Sequence, residues 1–238
     1  MTKPKERFKL NRHVFQNSNN VVLTEKQNKL YKNIRNNILT IVHGPAGTSK
    51  TFTSCYTSLN LLADKKIERI IITKPNVEAG PSLGHIPGSV LEKIDPYRQS
   101  YYTNFCKILP KELIDHLFEQ DIIKFEPLSF MRGSTYENCI MLLDESQNSS
   151  VKQLMLWSTR LGENSKAVMM GDTSQFDVKE KDSGYIDFIN MTRGMSDLCT
   201  FEFTNGDIVR NKFLIDLTNR YDKYRSNKYN SKSSEKSD

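Results

Sequence analysis

The chain has 238 residues, with 34 Lys and Arg against 28 Asp and Glu and 37% apolar residues. This length predicts one domain with a sizeable core, and no stretch approaches the roughly 18 apolar residues that a membrane span needs. Residues 1–12 carry five positive and one negative side chains and residues 222–238 carry five and three, so the tails account for the whole net charge of +6. Any affinity for nucleic acid must therefore come from the tails or from local patches.

The N-terminus and the cysteines favour a protein that stays in a reducing compartment. Residues 1–5 lead into charged residues without the apolar region of a secretion signal. The four cysteines are 51, 33 and 60 residues apart, and none has a second Cys or a His pair at ligand spacing. We expect reduced thiols rather than disulfides or a zinc site.

Short apolar runs alternate with helical patterns along the body of the chain. The predicted strands are Ile38–Val42, Arg69–Thr73, Ile122–Phe125, Cys139–Leu143, Lys166–Met170 and Thr200–Phe203. The predicted helices between them include Thr51–Leu62, Lys111–Glu119 and Val151–Leu161. Runs this apolar are typical of strands buried on both faces, so the alternation predicts an α/β fold with a parallel sheet. The segment from Lys74 to Gln99 is too rich in Pro and Gly to form one element, which predicts a long functional loop.

The first strand leads into a glycine-rich loop and then a helix. The loop reads His43-Gly44-Pro45-Ala46-Gly47-Thr48-Ser49-Lys50-Thr51 and nearly matches the phosphate-binding pattern G-x-x-x-x-G-K-[ST]. In that pattern backbone N–H groups and the helix N-terminus surround phosphates, Lys50 reaches the β and γ phosphates, and Thr51 offers its hydroxyl to Mg²⁺. Ser49 stands where the pattern has glycine. The alternative is a strand-to-helix turn that binds no ligand.

Two later strands also end in polar residues. Asp144 and Glu145 follow the fourth predicted strand, at the sheet edge where open α/β folds bind ligands. We expect Asp144 to hold Mg²⁺ through water and Glu145 to orient and deprotonate an attacking water. The alternative is that Asp144 only caps the next helix. The fifth strand runs into Gly171-Asp172-Thr173-Ser174-Gln175, where the amide of Gln175 would sense a γ phosphate.

With these sites, further blocks make the sequence resemble the PhoH-like family of P-loop ATPases, which are related to one RecA-like domain of superfamily-one helicases. The blocks are Thr73-Lys74-Pro75, Glu78-Ala79-Gly80, Leu83-Gly84, Pro87-Gly88, Glu92 to Tyr97, Phe130 to Thr135, Leu143 to Asn148, Gly171-Asp172 with Gln175 and Asp177, and Asp207 to Arg210. The departures are Ser49 for glycine, Ser146 for a more usual alanine and His85 for an aromatic residue. Only Ser49 bears on chemistry, and it puts the turnover rate in doubt more than binding.

The resemblance implies a domain organisation and a sheet order. A single RecA-like ATPase domain spans residues 21–222. The segments on either side of it have too few apolar residues to offset the entropy of ordering, so we expect a flexible basic tail at residues 1–20 and a disordered charged tail at residues 223–238. Its mainly parallel sheet has helices on both faces. The strand that ends at Gly171 lies between the strand of the phosphate loop and the strand before Asp144.

The resemblance also suggests an arginine finger, Arg210, that completes the site of a neighbouring subunit. The alternative is an exposed residue on an amphipathic helix over Asp207–Tyr224. The inward side of that helix is predicted to carry Ile208, Val209, Phe213, Leu217 and Tyr221.

Two readings are open for Gln27. In helicase relatives a glutamine of this kind reads the adenine edge, which would favour ATP over GTP, and no Asn-Lys-x-Asp motif for guanine is present. The same residue, three positions after Thr24, satisfies a capping box in which it only bonds the backbone.

Nucleic acid contacts are expected on three residues. The resemblance implies that they lie on segments that line the nucleic-acid face of helicase-like domains. They are Lys74, Asn76 and Arg132, and His85 lies on such a segment too. The rings of Tyr97, Tyr101 and Tyr102 could stack on bases. For Tyr101 and Tyr102 core packing is the favoured alternative, since they share a helical apolar stripe with Phe105, Ile108 and Leu109.

Together these features predict Mg²⁺-dependent binding and hydrolysis of ATP, coupled to RNA or single-stranded nucleic acid by a homo-oligomeric ring, with a hexamer as one candidate size. One RecA-like domain per chain needs the second half of its site from another subunit. The main alternative is a slow ATP-gated nucleic-acid-binding or assembly module. A small-molecule kinase and a nuclease are disfavoured, the first because Glu145 suits water activation. We expect a cytoplasmic location, in the host cytoplasm for a phage protein, and no membrane partner.

Overall fold

The structure is a computed structural model that describes residues 10–18, 20–75, 90–172 and 183–209, and further residues 213, 215–217, 219–221 and 224; of residues 90–97 it describes the backbone only. The strands are β1 (Leu39–His43), β2 (Arg69–Thr73), β3 (Ile123–Phe125), β4 (Cys139–Leu143), β5 (Lys166–Gly171) and β6 (Leu198–Glu202). The helices are α1 (Arg12–Ser18), α2 (Glu25–Asn36), α3 (Lys50–Ala63), α4 (Val90–Cys106), α5 (Lys111–Glu119), α6 (Val151–Ser158) and α7 (Tyr185–Met191). Over the ranges described, no helix has the length and apolar character of a membrane span.

The six strands form one parallel sheet in the order β3-β2-β4-β5-β1-β6. The predicted parallel α/β fold is confirmed, and β5 lies between β1 and β4 as expected. The register places His43 opposite Gly171 and Leu143 opposite Met169. The carboxyl ends of β1, β4 and β5 therefore meet at one edge of the sheet, which is where the three polar sequences begin.

Alternate residues of the strands pack into two core layers on opposite faces of the sheet. Helices α1 to α5 cover the face that contains Ile70, Ile72 and Leu142, whereas α6 and α7 cover the face that contains Ile71 and Met141. Because both faces are buried, the strands are almost entirely apolar, as the sequence indicates. Two capping boxes, at Thr24 for α2 and at Ser150 for α6, fix where those helices begin.

The tail expected to be flexible over residues 1–20 is partly ordered. Residues 12–18 form α1, and Leu10 and Phe15 are 2% exposed against the core. Arg12 donates a 2.8 Å hydrogen bond to Asp64 at the end of α3. The expectation rested on how few apolar residues this segment has, but those few lie on one side and are buried. Residues 1–9 lie outside the described part.

Two helical expectations need correction near the site. The region Lys74 to Gln99 is not loop throughout, since α4 begins at Val90 and runs through Pro96. The helix predicted from Asp207 does not begin there: Asn205–Asp207 is a 3₁₀ turn that Thr204 and Asp207 cap, and Ile208 is extended.

The apolar stripe after this turn is mostly exposed rather than inward. Ile208 is buried, but Val209, Phe213, Leu217 and Tyr221 are 51–71% exposed. The helical periodicity is present in the described residues from 213 onward. What the sequence does not indicate is which surface covers it.

Candidate nucleotide-binding site

The phosphate loop leaves β1 through a backbone that requires glycine. Gly44 has φ +143°, and a Cβ there would overlap the carbonyl oxygen of Phe203. Gly47 has φ +84°. Ser49 also adopts a left-handed conformation, with φ +67° and ψ +27°, immediately before α3. The serine therefore occupies a backbone conformation that glycine adopts at lower cost, which explains why the motif has glycine at this position.

Lys50 folds back over the loop that it follows. Its Nζ donates to the carbonyl oxygens of Gly44 at 2.5 Å and Pro45 at 3.0 Å. Burial lowers the pKa of Lys50, and the carboxylates of Asp172, Asp144 and Glu145 oppose this. The ammonium is thus held at the loop among acidic groups, in the position from which a lysine can contact phosphate.

Thr51 and Asp144 form an oxygen pair that fits a hard divalent cation. Thr51 Oγ1 donates a long 3.4 Å hydrogen bond to Asp144 Oδ2, which joins the first turn of α3 to the end of β4. A hydroxyl and a carboxylate beside a phosphate loop are the donors that Mg²⁺ takes while keeping several waters. These two residues would hold the ion, as predicted for them. The other oxygen of Asp144, Oδ1, accepts a 3.0 Å hydrogen bond from Glu145 N.

Glu145 stands at a strained turn and faces the cavity. Its φ is +51°, outside the usual range for a non-glycine residue. Oε2 accepts a 2.7 Å hydrogen bond from Gln147 Nε2, and Oε1 lies 4.0 Å from Lys74 Nζ. Burial and then Asp144 raise the pKa of Glu145, whereas Gln147, Lys74 and Lys50 lower it. A carboxylate with a raised pKa is a better proton acceptor from water.

Gln147 joins two strand ends, a role that does not follow from the sequence. While its amide nitrogen bonds Glu145, its Oε1 accepts a 3.0 Å hydrogen bond from Asp172 N at the end of β5. The residue is 1% exposed. Nearby, Ser146 Oγ donates to Met170 O at 2.6 Å, so the serine that departs from the family's usual alanine also links these strands.

Two cavities adjoin the loop. One, of about 460 Å³, is lined by Ala46, Gly47, Ser49, Lys50, Thr51, Phe52, Asn104, Lys107, Asp144, Glu145, Gly171, Asp172 and Val209. The other, of about 690 Å³, lies between the start of α2 and the chain around Phe203 to Val209, and Gln27 and Thr48 line it. Val209 borders both and donates a 3.0 Å hydrogen bond to Gly47 O. The loop thus borders a smaller cavity, called the phosphate cavity below because Lys50 and Thr51 line it, and a larger one beside it.

Both readings of Gln27 retain support. Gln27 Oε1 accepts from Thr24 N at 2.9 Å, and Thr24 Oγ1 accepts from Gln27 N at 3.2 Å, so the capping box is present. The residue is 5% exposed and lines the larger cavity, and within the described residues its Nε2 donates no hydrogen bond. Adenine recognition stays a prediction.

The structure describes two of the three nucleic-acid candidates, Lys74 and Arg132, which follow Thr73 and Met131; Thr73 Oγ1 donates to Met131 Sδ at 3.4 Å. Lys74 is half-buried beside Glu145, at the edge of the sheet where the phosphate loop lies. Arg132 is exposed on the turn before β4. Asn76 lies outside the described residues, as do His85 and the catalytic candidates Gln175 and Arg210. The alternative for Tyr101 is supported instead, because its ring is buried in the core with Phe105, Ile108 and Leu109.

The chain resembles known proteins over most of its length. A sequence model of the family described as PhoH-like protein matches residues 21–222. This chain belongs to the PhoH-like family. The PhoH-like domain is 36% identical over 203 residues to the PhoH-like protein of Bacillus subtilis (strain 168), covering 85% of this chain and 64% of that protein. It is 37% identical over 182 residues to the PhoH-like protein of Mycobacterium tuberculosis (strain ATCC 25618 / H37Rv), which covers 76% of this chain and 52% of that protein.

The PhoH-like chain spans less than two thirds of the length of these curated relatives. Solved structures that resemble it include the Hef helicase domain of Pyrococcus furiosus, at 13% identity and TM-score 0.45 over 82% of this chain and 40% of that chain. The Pif1 helicase of Candida albicans is 15% identical, with a TM-score of 0.39, over 77% of this chain and 40% of that chain. The family and the parallel α/β fold indicate a P-loop NTPase domain.

Proposed function

We propose that this PhoH-like domain binds ATP with Mg²⁺ and hydrolyses it. The observation that carries the proposal is the meeting of Lys50, Thr51, Asp144 and Glu145 around one cavity at the carboxyl edge of the sheet. A phosphate loop alone would suit many phosphate ligands. The carboxylate next to the metal-binding aspartate specifically suits activation of water.

Each residue has a distinct role in the proposed reaction. Backbone N–H groups of the loop and Lys50 hold the β and γ phosphates, Lys50 exchanging its carbonyl partners for phosphate oxygens. Thr51 and Asp144 hold Mg²⁺, which when bound neutralises phosphate charge. Glu145 takes the proton of a water whose oxygen bonds to the γ phosphorus, while the bond from phosphorus to the ADP oxygen breaks. Gln27 contacts adenine, and Gln175 senses the γ phosphate.

We further propose that turnover is coupled to RNA or single-stranded nucleic acid in a homo-oligomeric ring. Lys74, Asn76 and Arg132 would contact the nucleic acid, and Arg210 would complete a neighbour's site. Support for assembly comes from the exposed apolar side chains of Phe213, Leu217 and Tyr221. These surfaces are costly to leave in water and suit contact with another subunit. A cytoplasmic location remains a prediction.

The experiment measures steady-state ATPase activity with and without single-stranded RNA, together with the oligomer mass. Wild type is compared with Lys50→Ala, Arg210→Ala and the pair Phe213→Ser and Leu217→Ser. The motor proposal expects RNA to stimulate turnover, Arg210→Ala to abolish it in an intact oligomer, and the paired substitution to lower the mass. Turnover that ignores RNA and survives in a monomer would contradict the coupling.

A second candidate is a slow ATP-gated binding or assembly module. The left-handed conformation of Ser49 favours it, because a Cβ in the phosphate loop can hinder the rearrangement that hydrolysis needs. Under this candidate wild type binds ATP and assembles with it, but turns over no faster than Lys50→Ala.

A further inference from the structure

Tyr101 on α4 carries a hydroxyl that core packing does not explain. Its ring is 3% exposed and contacts the edge of Phe125, with centroids 5.7 Å apart. Its Oη is inaccessible to solvent and has no hydrogen-bond partner in the described structure. Leaving a buried hydroxyl unpaired costs free energy that phenylalanine in the same place would avoid. The atom therefore suits a partner that comes within full hydrogen-bonding geometry in another state of the protein.

The end of α4 lies at the metal edge of the site, that is, the side with Thr51 and Asp144. Asn104 and Lys107, which follow Tyr101 by three and six residues, line the phosphate cavity together with Asp144. Burial, then the nearby charges of Asp144 and Cys55 and a side-chain interaction with Asp144, raise the pKa of the Tyr101 phenol well above its usual value, although the hydroxyl and the carboxylate do not reach the distance and angle of a full hydrogen bond. Asp144 is thus close enough to act on the hydroxyl, which keeps its proton and can only be paired as a donor to that carboxylate.

Asp144 has a weakly held oxygen to receive such a donor. Oδ1 accepts a 3.0 Å hydrogen bond from Glu145 N. Oδ2 accepts a 3.4 Å hydrogen bond from Thr51. That bond is at the long limit, and in the proposed reaction the Thr51 hydroxyl turns to the ion. The carboxylate then needs another group to fix its orientation.

We propose that Tyr101 is a positioning residue for the metal edge: its hydroxyl donates to the Asp144 carboxylate, or to a water on it, when Mg²⁺ and nucleotide are bound. This inference rests on the proposed function, because it assumes that the site takes Mg²⁺ with nucleotide. Tyr101 touches neither phosphate nor ion. Groups that orient a metal ligand commonly change metal affinity about 10- to 100-fold when removed.

The test compares Tyr101→Phe with Tyr102→Phe, which removes the neighbouring hydroxyl. Tyr102 Oη donates a 2.5 Å hydrogen bond to Asp115 on α5, so this hydroxyl already has a partner. For each protein one measures the Mg²⁺ concentration that half-saturates binding of a fluorescent ATP analogue, the affinity for that analogue without metal, and the melting temperature without either ligand.

The two substitutions are expected to have opposite effects. Tyr101→Phe should raise the half-saturating Mg²⁺ concentration roughly tenfold, leave metal-free affinity unchanged, and keep or raise the melting temperature. Tyr102→Phe should lower the melting temperature and leave the Mg²⁺ requirement at the wild-type value. The inference fails if Tyr101→Phe leaves the Mg²⁺ requirement within about twofold of wild type, or if it lowers the melting temperature, since the hydroxyl would then have a structural partner. Wild type that binds the analogue without any Mg²⁺ effect would instead overturn the proposed metal-dependent function.

Discussion

The side-chain amide of Gln147 donates a 2.7 Å hydrogen bond to Glu145 Oε2, and the same side chain accepts from Asp172 N at 3.0 Å. One buried glutamine thereby fixes the carboxylate that faces the cavity relative to the end of the neighbouring strand. Glu145 needs such support, because its left-handed backbone is intrinsically unfavourable.

Replacing Gln147 by Ala should lower kcat about 10- to 100-fold with little change in KM, because Glu145 loses its orientation while the phosphate loop is untouched. Gln153→Ala is the matched control. Gln153 Oε1 accepts from Ser150 N at the start of α6, so its loss should cost stability but not kcat. Equal losses of kcat in both variants would mean that Gln147 serves only the fold.

Ser49→Gly should stabilise the ligand-free protein by about 1 kcal/mol, since glycine adopts φ +67° without the Cβ penalty. Ser49→Ala keeps the Cβ and should give no such gain, which separates the backbone effect from loss of the hydroxyl. Urea unfolding of the three proteins measures this. If Ser49 also limits turnover, Ser49→Gly alone will raise kcat.

Gln27→Glu distinguishes the two roles of Gln27. Glutamate keeps an Oε acceptor for Thr24 N, so the capping box and the melting temperature should be preserved. The amide donor is lost, so ATP affinity should fall roughly threefold to tenfold if that group reads adenine, while GTP affinity changes less. Titration of both nucleotides provides the comparison. An unchanged ratio of ATP to GTP affinity would leave Gln27 with the capping role only.

His43, the last residue of β1, should make the fold sensitive to acid. Burial lowers the pKa of His43, Glu202 raises it and Lys50 lowers it, with a net decrease. The unfolded chain therefore binds this proton more readily, so the stabilisation is present above about pH 6.5 and is lost as the pH falls through the folded-state pKa.

In His43→Gln that part of the acid sensitivity should disappear, as seen in urea midpoints at pH 7.5 and 5.5. His13→Gln on the exposed side of α1 serves as the control. The account of His43 is wrong if the two variants lose the same stability as wild type between these pH values.

The sequence predicts the sheet and the loop well for identifiable reasons. The bounds of β2 and β4 match the predicted runs because each contains an unbroken apolar stretch, Ile70–Ile72 in β2 and all of β4, that polar residues delimit. Parallel strands must bring Lys50, Asp144 and Glu145 to one edge, so their meeting also follows from the pattern.

Other features depend on tertiary packing that local pattern does not encode. Gln147 spans two strands that are adjacent only in the folded sheet. The helical spacing of Tyr101 favours a core position, which the structure confirms. That spacing does not indicate that its hydroxyl lies near Asp144. The apolar stripe containing Phe213 is also visible as a pattern, but periodicity alone does not say whether the covering surface belongs to the same chain.

The most direct test of the central claim compares Glu145→Gln with wild type in two assays on the same preparations, ATP binding and Mg²⁺-dependent phosphate release. Glutamine keeps the size and the possible bond to Gln147 but cannot accept the water proton. We predict nucleotide affinity within about twofold of wild type and phosphate release lower by roughly 10²- to 10⁴-fold. Phosphate release from Glu145→Gln at the wild-type rate would contradict the claim that this cavity activates water for ATP hydrolysis.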